Sequence, residues 1–280
     1  MVVFILILIY IIFMKLNYCY HTHTNRCSHA YGSDEEYVLE AIKKGLKVIG
    51  FTDHVFLPNH SQQGIRGDYE LLDDYLNSLN YLKEKYKDQI QILIGFEAEY
   101  LEEYLPHYRY LFDSGKIDYL IQGQHNYIED GVLKWYFAHK DNHEIIELYL
   151  THIIKGMESG LFSYIAHPDL FVSGITKWDD FAISVTRRIC EASIKYDCPI
   201  EFNLGGKRFP YDELYPGRQS LRYPCPEFWE IAKEYPIKVF IGADAHKPSQ
   251  VNDEIEIDYA INKMKKLGIQ VLEDIRKRGC

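Results

Sequence analysis

Short apolar runs and longer amphipathic stretches alternate along this chain, a series that predicts strands separated by helices. Met14 to Tyr20 reads as the first strand. Ser33-Asp34-Glu35-Glu36 is a capping box, a hydroxyl and a glutamate that satisfy each other's free backbone N–H groups at a helix start. The helix it opens is expected to reach Lys44 and to stop at Gly45. Val48 to Thr52 has strand character. Tyr69 to Tyr86 is helical because Leu71, Leu72, Tyr75, Leu76, Leu79 and Leu82 form one stripe at helical spacing. Further strands are expected at Ile90–Phe96, Tyr119–Ile121, Phe162–Ile165, Pro199–Phe202 and Val239–Ile241. Helices are expected at Glu103–Phe112, Glu144–Met157, Asp179–Tyr196, Pro226–Glu234 and through the tail from Asp253. Parallel strands need such crossovers, so the pattern predicts an α/β domain with a parallel sheet, closed as a barrel rather than open.

No repeat, low-complexity tract or Gly/Ser-rich linker divides the chain, which is therefore read as one domain over residues 14–280. Residues 1–13 stand apart. Val2 to Phe13 is an unbroken apolar run, shorter than the ~20 residues that cross a bilayer, with neither a basic flank nor a small-residue cleavage site. The expectation is an upstream start-site artefact with Met14 as initiator. A short membrane anchor is the alternative, and no stable membrane partner is expected.

Composition narrows the function. Hydrophobic residues are 47% of 280, enough for a large core, and the many Tyr and Phe are read as core and barrel filling. A net charge of −10 leaves no basic face for a run of nucleic-acid phosphates. It is compatible with a small phosphate ester, because bound divalent ions invert the local field. The six cysteines form no CxxC pair and are sparse, which predicts free thiols in a reducing cytoplasm.

The candidate chemistry lies in the placement of the twelve histidines. His21 and His23 follow the first strand, and alternation along an extended segment turns both imidazoles to one side, as two ligands of one metal require. His29 comes six residues later. Asp53-His54, Glu97 with Glu99, His125, His167 and Asp244-Ala245-His246 each end a later predicted strand. Barrel active sites are built at those C-terminal strand ends. Gly95, Gly123, Ala166 and Gly242 lie close by and leave room for a close approach. By contrast His60, His107, His139, His143 and His152 fall in loops or helices without a ligand set and read as ordinary histidines. Imidazoles with carboxylates suit Zn, Fe or Mn. Two such ions about 4 Å apart can hold the attacking and leaving oxygens of an in-line displacement, which points to a phosphoesterase.

The ordered set His-x-His, a His six later, Asp-His, Glu, His, His-Pro-Asp and Asp-x-His resembles the polymerase and histidinol phosphatase (PHP) family from about Met14 onward. The resemblance implies a distorted (β/α)7 barrel with its metal site at the C-terminal strand ends and two to three divalent transition-metal ions. One ion would be held by His21, His23, Glu97 and Asp244. A second would take Glu97, His125 and His167, with Glu97 bridging; a third would take His29, His54 and His246. Asp244 is also a candidate proton shuttle. Because Glu99 shares the parity of Glu97, only the resemblance selects Glu97.

Similarity is greatest to the histidinol-phosphatase members, which implies hydrolysis of L-histidinol phosphate in histidine biosynthesis. Another small phosphate ester or phosphotyrosine, or a non-catalytic metal-binding regulatory module, are the alternatives. Asn203 and Arg208, in Asn203-Leu204-Gly205-Gly206-Lys207-Arg208, resemble the family's phosphate-binding loop. One departure stands out: Ser173 lies where relatives can carry an arginine. Lys177, Lys207, Arg218 and Arg222 are the competing basic residues. Oligomeric state and metal identity are not specified by the sequence.

Overall fold

The structure is a computed structural model that describes residues 15–208 and 222–276. The N-terminal extension, Met14 and Arg218 lie outside the described residues. Four parallel strands, β1 (Tyr18–Cys19), β2 (Val48–His54), β3 (Gln91–Ala98) and β4 (Tyr119–Gln122), pair in chain order. A hairpin of β5 (Asn126–Glu129) and β6 (Val132–Trp135) follows, then a second parallel set, β7 (Ile200–Asn203), β8 (Lys238–Gly242) and β9 (Gln270–Val271). Ile165 bridges to Gln122 of β4 and to Ile200 of β7, and Thr22 bridges to Ala245 just past β8. The strands thus form a curled parallel sheet in an α/β fold.

Helices α1 (Asp34–Lys43), α2 (Leu72–Lys85) and α3 (Leu105–Asp113) cover one side with Ala41, Leu79 and Leu111. Helices α4 (His143–Ser159), α5 (Asp180–Lys195), α6 (Pro226–Ala232) and α7 (Glu254–Leu267) cover the other with Ile153, Ile189, Trp229 and Met264. The capping box at Ser33 and Glu36 is present, and Gly45 leaves α1 at φ +75°.

Inside the curl, side chains repeat at period two and form layers. Tyr18 stacks on Tyr20 with ring centroids 4.5 Å apart, and Phe240 meets both edge-on. The hydroxyl of Tyr119 donates to the Tyr20 carbonyl at 2.7 Å. These rings plug the floor, so aromatic side chains fill the inside of the curled sheet. Above them, Leu93-Gly95-Glu97 on β3 and Phe240-Gly242-Asp244 on and beyond β8 each pass from apolar through glycine to carboxylate. A Cβ on Gly242 would lie 1.8 Å from Glu201 Oε1, and one on Gly123 would lie 1.9 Å from Glu97 Oε1. Glycine is required at both because buried carboxylates occupy the space.

Four expectations are corrected. The β5–β6 hairpin was missed, although Asp130-Gly131, both at positive φ, is a strong hairpin signal. Phe162–Ile165 is not a ladder strand: it bonds to both neighbours, but pairing is confined to bridges at Ile165. The tail is not wholly helical, because Gly268 caps α7 at φ +72° and releases the chain into β9. Cys19, Cys27, Cys190 and Cys225 are free and buried, but Cys198 is in a disulfide, so the thiols are not all free. No described helix is long and apolar enough to cross a membrane.

The loop after β2 is pinned by a buried pair. Arg66 Nη2 donates to both oxygens of Glu99 at 2.8 Å, and its Nη1 bonds the Val55 carbonyl. Removing one partner leaves an uncompensated buried charge. Arg66→Ala should therefore cost about 3–5 kcal/mol in urea unfolding. A loss below about 1 kcal/mol, the scale of an exposed pair, would contradict this role.

Candidate metal centre

Glu97 is the hub. It ends β3 opposite His54 of β2, and both of its oxygens are ringed by imidazoles. Oε2 lies 3.6 Å from His21 Nε2, 3.5 Å from His23 Nε2 and 3.1 Å from His54 Nδ1. Oε1 lies 2.7 Å from His167 Nε2 and 3.6 Å from His125 Nε2. The carboxylate thus faces two donor groups, one with each oxygen. Asp244 Oδ1 joins the first group at 3.6 Å from His21 Nε2 and 3.3 Å from His23 Nε2; those two nitrogens are 3.3 Å apart.

These spacings fit a cation. Ligands about 2.0–2.1 Å from a tetrahedral zinc ion lie roughly 3.3–3.4 Å from one another. His21, His23 and Glu97 present three such donors, with Asp244 Oδ1 beside the two histidines, and Glu97 Oε2 is buried without any hydrogen bond. Parity along the chain after β1 brings His21 and His23 together as expected.

His29 and His246 supply a second line of argument. His29 Nδ1 lies 2.9 Å from the Cys27 carbonyl and His246 Nδ1 lies 3.0 Å from the Asp244 carbonyl. A carbonyl only accepts, so each Nδ1 is the protonated nitrogen. Each neutral ring then presents a bare Nε2, and the two Nε2 atoms face each other at 3.0 Å. Facing lone pairs repel unless a cation, proton or metal, lies between them. His54 is turned elsewhere: its Nδ1 is on Glu97, and its ring centroid is 5.7 Å from that of His29. The expected trio of His29, His54 and His246 is therefore not assembled as a set, and His54 instead groups with Glu97 and His125.

Charge within the cluster is strongly coupled. Burial would raise Glu97 and Asp244, yet the surrounding histidines hold both well below the usual carboxylate range. Burial opposes charging His21 and His23, but Glu201, Asp244, Glu97 and Asp53 raise both well above the ordinary imidazole value. Burial lowers His125 to about 4 and His246 to about 3. Cys27 would be raised by burial, but the neighbouring His23 and His29 imidazoles leave it lowered. Metal entering such a site must displace the protons on His21 and His23, so affinity should weaken as pH falls.

Glu201 is the residue that sequence reasoning missed. It accepts from His21 Nδ1 at 2.9 Å, from the His167 backbone at 3.1 Å and from Asn203 Nδ2 at 2.7 Å. It fixes the His21 tautomer with Nε2 bare, as carboxylates behind metal-bound histidines do. Its signal was a lone carboxylate between Ile200 and Phe202 in an otherwise apolar strand. His167 and Asp244 adopt φ of +28° and +48°, sparsely populated values that the surrounding packing must hold.

The other candidates divide. Glu99 is committed to Arg66, which settles the parity ambiguity in favour of Glu97 at the cluster. Asn203 is buried with its amide spent on Glu201 and on the Gly205 N–H. Arg208 borders the cleft over the cluster, but its guanidinium pairs with Glu256 and donates to the Ala243 carbonyl at 2.6 Å. Lys207 lies over the Tyr259 ring, and neither Lys177 nor Arg222 lines the cleft. Lys140, which sequence reasoning passed over, does line it and reaches the Ser173 carbonyl. His60, His107, His139, His143 and His152 lie outside the cluster, as expected.

Two substitutions, at the end of β3 and just past it, separate these roles. Glu97→Gln should release bound metal with the fold intact, whereas Glu99→Gln should lower stability and leave metal content unchanged; metal analysis and thermal unfolding read both. The reverse pattern would place the hub at Glu99. Glu201→Ala should weaken metal binding by about 10–100-fold, since it removes the partner that orients His21. An unchanged dissociation constant would remove that role.

Comparisons with known proteins place the chain in one family. The PHP domain model matches residues 20–204, which is more than half of the chain. A probable histidinol-phosphatase of Deinococcus radiodurans is 27% identical over 248 residues, 82% of this chain and 86% of that one. One from Schizosaccharomyces pombe is 25% identical over 281 residues, 92% and 89% of the two chains. The crystal structure of histidinol phosphate phosphatase (HISK) from Lactococcus lactis subsp. lactis, complexed with Zn, L-histidinol and phosphate, has the same fold. It superposes with a TM-score of 0.68 at 19% identity, covering 94% of this chain and 97% of that one. The chain belongs to the PHP domain family.

Proposed function

We propose that this chain is a metal-dependent phosphoric monoester hydrolase acting on L-histidinol phosphate, in the cytoplasm and in histidine biosynthesis. The observation that carries the proposal is the close trio of His21, His23 and Glu97, with Asp244 beside the two histidines, beneath an open cleft of about 1070 Å3. That volume is ample for a small phosphate ester. The histidinol-phosphatase relatives, which match along most of their length, support the named substrate. The reading includes closure of the curled sheet into a distorted (β/α)7 barrel, for which the bridges at Ile165 and between Thr22 and Ala245 speak.

In this proposal two to three Zn, Mn or Fe ions occupy the centre. His21, His23, Glu97 and Asp244 hold one; Glu97, His125 and His167 hold a second; His29 and His246 contribute to a third. When bound, such ions polarise the phosphoryl oxygens and acidify a water molecule. The protein's own part is to bring two buried carboxylates to the reacting phosphate and to keep the floor dry with Tyr18, Tyr20 and Phe240. Water gives up a proton to Asp244 as its oxygen adds to phosphorus, the ester P–O bond breaks, and the leaving alkoxide takes up that proton. Asp244 borders the cleft and is the proposed donor of that proton. Arg208, beside the Asp244 backbone, is the proposed guanidinium for the phosphate, with Asn203 positioning the Gly205 turn that leads to it.

Steady-state kinetics on a panel of phosphate monoesters tests the substrate. Histidinol phosphate should exceed every other ester by at least about tenfold in kcat/KM, or ~1.4 kcal/mol of transition-state binding. A smaller preference, or equal turnover of a phosphotyrosine peptide, removes the named substrate and keeps the class. No hydrolysis of any ester with Mn or Zn supplied would leave a non-catalytic metal-binding module. Arg208→Ala should lower kcat/KM about 30-fold or more, ~2 kcal/mol, with metal content unchanged. Near-normal activity would move the phosphate contact to another basic residue, Lys140 being one that borders the cleft.

A further inference from the structure

The His29–His246 pair needs a third donor, and the structure offers one that neither spacing nor family likeness suggested. The turn Asn25–Cys27 ends in Ser28 at φ +66°, which folds the chain back so that the Cys27 carbonyl receives His29 Nδ1. The same turn buries the Cys27 side chain, a free thiol that is 1% exposed. Its sulfur, one nitrogen of His246 and one nitrogen of His23 all lie within 4.8 Å of one another. His23 Nε2 is committed to the side of His21, Glu97 and Asp244. That leaves Nδ1, which is buried without a hydrogen bond and lies 3.6 Å from Asp53 Oδ1. A thiol held beside imidazole nitrogens, one of them the bare Nε2 of His246, is a donor group suited to a divalent cation.

We propose that Cys27 is a thiolate ligand of the third metal site, with His29 and His246, in the place that His54 was expected to fill. His54 falls in a different donor group, with Glu97 and His125, and its Nδ1 lies 3.1 Å from Glu97 Oε2. The inference rests on the reading of the chain as a metal-binding enzyme. Coordination replaces the S–H bond with a sulfur–metal bond, and the proton leaves to solvent. A sulfur donor makes the third site softer than the other two, which present only nitrogen and oxygen. It should therefore favour zinc or ferrous iron over manganese, so the ions of one centre need not be the same element.

Cobalt(II) is the probe, because a bound thiolate gives it a near-ultraviolet charge-transfer band that imidazole and carboxylate do not. The full chain, stripped with chelator and loaded with cobalt, should show that band. Cys27→Ser should abolish it and lower cobalt content by about one ion per chain, as loss of a ligand from one site implies. His54→Asn should retain the band. Cobalt bound to the wild-type chain without a thiolate band overturns the inference alone, and that result needs no variant to fold. A band that survives Cys27→Ser, or that disappears in His54→Asn, overturns it as well. No cobalt bound at all overturns both this inference and the metal-dependent function beneath it.

Discussion

Buried negative charge must be balanced, and the mouth of this curled sheet concentrates it. Glu97, Glu201 and Asp244 are buried within one shell of side chains, and among the described residues every ion pair to them comes from a histidine. An isolated carboxylate in such a place is costly by many kcal/mol and would take up a proton. Here their partners are imidazoles, and His29 and His246 are held with bare nitrogens facing each other. Divalent cations satisfy both demands together: they neutralise the carboxylates and fill the gaps between lone pairs. Much else in the fold follows from making room for that arrangement.

The accommodations are visible residue by residue. Gly123 and Gly242 give up side chains to Glu97 and Glu201, and a Cβ at Gly205 would lie 2.1 Å from Asp244 Oδ2. His167 and Asp244 hold uncommon backbone angles at the positions where they enter the cluster. Beneath it, the tyrosine and phenylalanine layer supplies apolar packing and uses its hydroxyls on backbone carbonyls, as Tyr119 does with Tyr20. Stability comes from the two helix-covered cores and from the Arg66–Glu99 pair. The centre contributes strain and uncompensated polar atoms until cations bind. Metal should accordingly stabilise the folded chain by linkage as well as enable its chemistry.

Much of this was legible in the sequence because period-two alternation is a strong geometric constraint. His21 with His23, and Asp244 with His246, were placed on common faces by it, and Glu97 was located to within one ambiguity of two residues. The helices with long apolar stripes were found for the same reason. What escaped depends on contacts between distant segments. Glu201 touches His21 across 180 positions, and a lone carboxylate in a strand does not announce its partner. The preference of Glu99 for Arg66 rests on a loop that no periodicity describes. His54 was grouped with His29 and His246 by likeness of pattern, whereas its ring direction follows from the register that sets it opposite Glu97. The β5–β6 hairpin was readable from Asp130-Gly131, whose positive φ angles match the turn. Arg208 was read as free to meet a phosphate, and its pairing with Glu256 on α7 was invisible at that distance.

The central claim is that this ring of histidines and carboxylates is a metal centre rather than a proton-balanced polar core. Anomalous diffraction at the metal's absorption edge, from crystals of protein purified without chelator, tests it most directly. The account requires an anomalous peak about 2.0–2.2 Å from the donors of His21, His23, Glu97 and Asp244, and a second on the Oε1 side of Glu97. A cluster without such peaks after soaking in zinc or manganese, its nitrogens and oxygens joined instead by direct hydrogen bonds, would contradict it.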